Sequence, residues 1–386
     1  MARGARRSPA ALRVLGAALL FLLRSSAPSC AALTAAAASG AQAPSRSPAR
    51  PAGARIVSAL VFDPGECRLC AFNGPAAPRL FIDGREDGLG SNFEGILSGM
   101  AIARKAGMSF GGVVGGGRVC HGQEVGRLVS ELFGVQREHL YQEAIPMLAL
   151  RVMGLGDLEE SRRPGQNASG DVWLRANLPL SGPGAGHIGE FLDHEFLEAL
   201  RADMLPRLAE RSPIAAIRRG HGPVVAMHVR RGDVSQSVNW GRYTKNEFYY
   251  DLADRIRAQL PGTEVHAWSE TSGSSAPEDF DGFRDRNITV HLDTDIVETW
   301  SHMAQAQVLV MAKSSFSFTS AVLNRGCVVY QTYLTSPLQS FTATMPPCTP
   351  EALTKRPLQC SPDQTMPVVD QQKLSACLAR PGAHAP

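Results

Sequence analysis

From Ile56 onward the chain alternates between short apolar runs and segments whose apolar residues return every three or four positions. "IVSALVF" and "RLFID" read as buried strands, and "SNFEGILSGMAIARKAG" as a helix with Phe93, Ile96, Leu97, Met100 and Ala103 near one face. The strand-like "SFGGVV" follows, then a helical "EVGRLVSELFG" and a longer helix around "GEFLDHEFLEALRADMLPRL". Between Gly154 and Gly186 the sequence is polar and rich in Gly and Pro, which predicts a long loop.

The second half is more regular. "PVVAMHV" predicts a strand, and Thr244 with Glu247 forms a capping box ahead of a helix carrying Phe248, Leu252, Ile256 and Leu260. The strands "EVHAW" and "NITVH" come next, then a helix "IVETWSHMAQA" capped by Asp295, a strand "VLVM", a short helix "FSFTSAVLN" and a strand "CVVYQ". Strands and helices alternating at this spacing imply βαβ units and a parallel sheet, hence an α/β fold. The expected organisation is a leader and stem over 1–54, an α/β domain over 55–220, a second over 221–345, and a Cys- and Pro-containing tail over 346–386.

Three polar clusters fall just behind strands of the second half. Arg230, Arg231 and Asp233 follow "PVVAMHV", Ser269 and Glu270 end the next strand, and "KSSFS", Lys313 to Ser317, follows "VLVM". In an open parallel sheet, ligands bind beyond the carboxyl ends of the strands, so these clusters belong to one edge. The guanidinium fork matches phosphate oxygens, and of two adjacent arginines in extended chain one faces a ligand while the other braces it. Ser314, Ser315 and Ser317 begin a helix, whose N-terminus is a ready anion site. An isolated arginine pair is more often a solvated turn, and one serine more often a plain N-cap; their agreement on one edge favours a diphosphate site. His228, at the strand end, reads equally well as a core histidine.

Other motifs narrow the chemistry. "DGLGSNFEG" lacks the third glycine of a dinucleotide fingerprint, and "GGVVGGG" lacks the Lys-Ser/Thr of a P-loop. Arg231-Gly232-Asp233 also spells an adhesion tripeptide, which would have to protrude at a loop tip. A formal net charge of +3 over 386 residues gives no ground for a nucleic-acid partner. Basic residues Arg3 to Arg13 precede an apolar block, Val14 to Leu23, too short for a comfortable membrane span. This predicts a secretory leader, with a signal-anchor or an organelle transit peptide as rivals. Cys67 and Cys70 form a C-x-x-C, and three cysteines crowd the tail; without a second ligand pair, disulfides are the plainer reading than zinc. Asn167 and Asn287 head N-x-S/T sequons.

"HVRRGD", the following "FYYDLADRI", the strand ending in "WSE" and "DIVETWSHMAQAQVLVMAKSSFSFTSAVLN" together resemble the GDP-fucose-dependent fucosyltransferases, which share a His-x-Arg-Arg-x-Asp motif. "GLGSNFEGILSGMAIARKAG" looks like the Gly-rich loop and helix of the alpha-1,2 branch. The strong part spans Pro223 to about Asn324; the first half matches loosely, the tail not at all. The resemblance implies a GT-B-like architecture, two Rossmann-like domains facing a cleft, and an inverting transferase needing no metal or cofactor, with GDP-fucose as donor and a glycan or glycoprotein as acceptor. On this resemblance Arg230, Arg231 and Asp233 serve the reaction, and His228, Ser269, Glu270, Ser314, Ser315, Phe316 and Ser317 bind the GDP-sugar. Gly88, Gly90, Asn92 and Glu94 line the acceptor side. The glutamate that the alpha-1,6 enzymes share shortly after the motif has no counterpart in "VSQSVNWGR", which leaves Asp233, Glu94 and Asp87 as candidate bases, with a loose, cation-like transfer needing little base assistance equally open. A donor other than GDP-fucose, or an inactive glycan-binding relative, is the alternative.

Overall fold

The fold is that of a computed structural model, which describes residues 56–63, 66–74, 76–84, 88–115, 125–134, 141–146, 151–153, 170–175, 192–273, 275–331, 341–343 and 367–380. The leader, Asp87, Cys120, Asn167, Cys348 and Cys360 lie outside these residues.

The fold is α/β, with two six-stranded sheets. The first contains β1 (Ile56–Val61), β2 (Arg79–Asp83), β3 (Ser109–Val114), β4 (Tyr141–Pro146), β5 (Arg151–Met153) and β6 (Val172–Leu174), in the order β4-β1-β3-β2-β6-β5. Strand β1 runs antiparallel to β3 and β4, while β2 pairs parallel with β3 and β6, and β5 parallel with β6. Strand β6 lies inside the stretch expected to be a loop; three buried residues are too few to show a period.

The second sheet is wholly parallel. It contains β7 (Val224–His228), β8 (Glu264–Ser269), β9 (Ile288–Leu292), β10 (Val308–Val310), β11 (Cys327–Tyr330) and β12 (Thr342–Ala343), ordered β12-β11-β10-β7-β8-β9. Eight α-helices appear among the described residues: α1 (Leu89–Lys105), α2 (Val125–Phe133), α3 (His194–Arg211), α4 (Asn246–Gln259), α5 (Asp281–Arg284), α6 (Ile296–Gln305), α7 (Ser315–Leu323) and α8 (Gln371–Leu378).

Burial on both faces explains why the second-half strands read as unbroken apolar runs. Val225 and Met227 point into a core with Phe248, Leu252 and Ile256 of α4 and Leu374 of α8. Ala226, between them, points the other way, into a core shared with Trp300 of α6, Phe318 of α7, Phe93 of α1 and Phe196 of α3. That second core joins the two halves of the chain, and the Phe93 and Trp300 rings meet edge-on at 5.1 Å. Helix α1, expected to bury one face, is buried at every residue from Leu89 to Ala103, since it lies between its own sheet and α7.

Local signals held in part. Asp295 caps α6, accepting from the Val297 and Glu298 amides at 2.9 and 3.1 Å. The capping box at Thr244 does not form. Its hydroxyl donates to the Gln331 side-chain oxygen at 2.6 Å in the core, and α4 starts after Lys245 without a side-chain cap. Disulfides join Cys67 to Cys70 and Cys327 to Cys377, the second fastening α8 to β11. Asn287 is exposed in the turn before β9. Among the described residues no helix is long and apolar enough to cross a membrane.

Candidate functional site

The carboxyl ends of β7, β8 and β9 and the N-termini of α1 and α7 enclose a cleft of about 340 Å³. Because β10, β7 and β8 are parallel neighbours, the three polar clusters do share one edge. His228, Arg230, Arg231 and Asp233 line the cleft from behind β7, and Ser269 and Glu270 from β8. Ser314, Ser315 and Phe316 line it from α7, and Gly88, Leu89, Gly90 and Ser91 from α1.

The two helix starts meet nose to nose. A Cβ built on Gly90 would stand 2.2 Å from the Phe316 amide nitrogen and 2.6 Å from the Ser315 carbonyl carbon, so only glycine permits this approach. Ser314 caps α7, its Oγ accepting from the Phe316 amide at 3.2 Å. Gly88, at the N-cap of α1, offers no side-chain bond. Both positive helix ends therefore face the same space, an arrangement suited to an anion.

The arginine pair divides its work. Arg230, its side chain 20 % exposed, grips Asp233 through Nε at 3.1 Å and Nη2 at 2.6 Å. Two of its five N–H groups are so engaged, leaving the rest for a ligand. Arg231 is 6 % exposed. Its Nη1 donates to the Arg230 carbonyl at 2.8 Å and its Nη2 to the Thr244 carbonyl at 2.9 Å and to Asn246 Oδ1, with the guanidinium 4.4 Å from the centre of the Tyr243 ring. Arg231 braces the turn and adds its charge to the local field. An adhesion tripeptide must present this side chain, and here it is packed inward.

Between the arginine and the acid, Gly232 adopts φ +75°, and the Glu270 carboxylate would stand 2.4 Å from any Cβ there. The turn is thus closed down onto β8, where Ser269 Oγ donates to the Val229 carbonyl. His228 packs against Phe316 at 5.5 Å between ring centres, with its Nδ1 buried and without a hydrogen-bond partner. Desolvation, reinforced by Arg230, pushes its pKa down to about 3, so the ring is neutral near pH 7.

Other expected site residues lie elsewhere. Ser317 is fully buried and donates to the Ala312 and Ser314 carbonyls. Asn92 donates to the Gly88 carbonyl at 3.3 Å, and Glu94 is 0 % exposed; neither lines the cleft, where Ser91 does. Lys313 is 7 % exposed and donates to the Gly241 and Tyr243 carbonyls at 3.2 and 3.5 Å, and burial pulls its pKa down to about 8.

The cleft also contains residues not expected at the site, among them part of the D-x-D triplet Asp293-Thr294-Asp295, which on sequence reads as a helix cap. Asp293 and Thr294 follow β9, the fourth strand of the same edge, and the strand-end logic would have found them. Asp293 accepts from the Thr271 amide at 2.9 Å and from its hydroxyl. Thr299 joins Thr294 at 2.7 Å between hydroxyl oxygens. Arg242, in a loop without periodicity, carried no signal.

No family model matches the chain, and no curated protein does. Among solved structures it is similar to POFUT1, at 12 % identity and TM-score 0.29 for the apo form, covering 44 % of this chain and 55 % of that one. For POFUT1 in complex with GDP-fucose the figures are 11 %, 0.29, 45 % and 56 %. A mutant of Arabidopsis thaliana FUT1 in complex with GDP matches at 11 % identity and TM-score 0.34, over 68 % of this chain and 72 % of that one. The chain thus spans little more than half the length of POFUT1, and overlaps of this depth carry no argument about what it does.

Proposed function

We propose that this chain is an inverting glycosyltransferase that moves fucose from GDP-fucose to a hydroxyl of a glycan or glycoprotein. The observation that carries the reading is the meeting, in one cleft at the edge of a parallel sheet, of the Arg230 fork with the N-termini of α1 and α7. As the sugar departs, GDP gains negative charge, and fixed donors aimed at that charge stabilise the transition state without reorganising. Arg230 and the first-turn amides of α7 serve this purpose, a task a divalent metal performs elsewhere. Arg231 keeps the turn in shape.

The acceptor hydroxyl approaches from the open side. Of the candidate bases, Glu94 is fully buried, whereas the Asp233 carboxylate is 46 % exposed at the cleft and can be reached. The two disulfides and the exposed Asn287 sequon support a secretory-pathway location for the enzyme.

The test is thermal unfolding of the full chain with GDP, UDP and CMP sugars, followed by linkage analysis of any transfer product. GDP and GDP-fucose at about 100 times Kd should add ~2.7 kcal/mol to stability. Arg230→Ala should lose this gain together with transfer. Stabilisation by UDP or CMP sugars alone, or by no nucleotide, overturns the proposal.

A further inference from the structure

The cleft contains a third arginine. Arg242 ends the single helical turn Trp240–Arg242 and lines the same cavity as Arg230. Its two chain neighbours are both pinned from below. Lys313, just ahead of α7, donates its ammonium to the carbonyls of Gly241 and Tyr243, one on each side of Arg242. The Tyr243 ring in turn carries the Arg231 guanidinium on its face.

Two facts need a reason. The first is the ammonium itself. Lys313 is buried, and its partners in the structure are carbonyls rather than a carboxylate. A charge held in this way is costly, and an apolar side chain of similar length would fill the same space more cheaply. The second is Arg231. Three of its N–H groups are already used on oxygens of its own half, so few remain to contact a ligand. A diphosphate needs more than one fork, and the cleft's acids, Asp233, Glu270 and Asp293, offset the charge of its arginines.

We infer that Arg242 joins Arg230 as a second cation in contact with the diphosphate, and that Lys313 is the positioning residue that presents it. The inference rests on the nucleotide-sugar reading of the cleft. Lys313 links the turn bearing Arg242 to the start of α7, so the cation and the helix N-terminus keep a fixed separation. Arg231 completes the latch from the other side through Tyr243.

The experiment is calorimetric titration of the full-length protein with GDP, inorganic pyrophosphate and guanosine. Arg242→Gln should weaken GDP and pyrophosphate binding at least about tenfold, the loss of one charge-assisted contact, with guanosine binding unchanged. Lys313→Met should weaken GDP binding to a similar degree. In the double variant, Lys313→Met should add less than about twofold to the effect of Arg242→Gln, since a residue acting through another has nothing left to act on. Full additivity assigns Lys313 a merely structural role and overturns that half. Wild-type GDP affinity in Arg242→Gln overturns the whole inference while leaving the nucleotide-sugar reading intact. A wild-type protein that binds neither GDP nor pyrophosphate removes both. Should Lys313→Met fail to fold, the single Arg242→Gln titration still decides.

Discussion

Replacing Gly90 with alanine perturbs the closest contact between the two helix starts. The added methyl carbon would sit 2.2 Å from the Phe316 nitrogen and 2.6 Å from two further backbone atoms. An ordinary contact is about 3.5–4.0 Å, so α1 and α7 must part by over ~1 Å, and neither side offers a flexible side chain that could yield. Overpacking of this kind costs ~1–3 kcal/mol, and the upper end applies where backbone meets backbone. The shift also moves first-turn amides away from the ligand, and a ~1 Å misplacement in a site can lower turnover about a hundredfold. Gly88→Ser is the control. Nothing lies within 4 Å of a Cβ there, the residue has φ −61°, and serine is a favourable N-cap. Urea titrations should show Gly90→Ala losing ~2–3 kcal/mol and Gly88→Ser unchanged or slightly more stable. GDP affinity, by calorimetry, should fall in Gly90→Ala. Equal stability and affinity in Gly90→Ala and wild type would refute the close-contact argument.

Three further outcomes are expected. Removing the Cys327–Cys377 disulfide by Cys377→Ser should destabilise by ~4 kcal/mol, because it frees a closed loop with a sequence separation of 50, as read from denaturant midpoints under non-reducing conditions. His228, neutral in the fold down to about pH 3, is protonated in the unfolded chain below about 6.5. The unfolded state then binds the extra proton, so stability falls as pH drops through that window; His228→Asn should shrink the loss between pH 7 and pH 4 by ~3 kcal/mol, measured by urea unfolding at both values. Arg231→Met should lower stability by ~2–4 kcal/mol by orphaning the Arg230 and Thr244 carbonyls and Asn246 Oδ1, whereas Arg230→Met, which breaks a half-exposed pair, should change the urea midpoint by under ~1 kcal/mol.

The parallel sheet was legible because two-sided burial writes each strand as a continuous apolar run, and Val224 to His228 is the clearest case. The site edge followed from topology, since a polar cluster behind each of three parallel neighbours must face the same way. Where reading failed, tertiary contacts had overruled local ones. Thr244 looked like a cap, but Gln331 offered its hydroxyl a buried partner. Asn92 and Glu94 were expected on the acceptor side from the family resemblance alone, yet α1 is buried at every residue from Leu89 to Ala103. Arg242 sits in a turn whose shape is set by Lys313, some 70 residues further along the chain, and no local pattern encodes such a link.

The core that Phe93 and Phe196 share with Trp300 and Phe318 makes the halves inseparable. A fragment cut near residue 220 would expose a slab of aromatic surface on each piece, so neither should stay monomeric when expressed alone. Grafting the second half onto a foreign partner would meet the same difficulty. Changes in acceptor preference are therefore expected to arise by substitution at the cleft mouth rather than by exchange of whole modules.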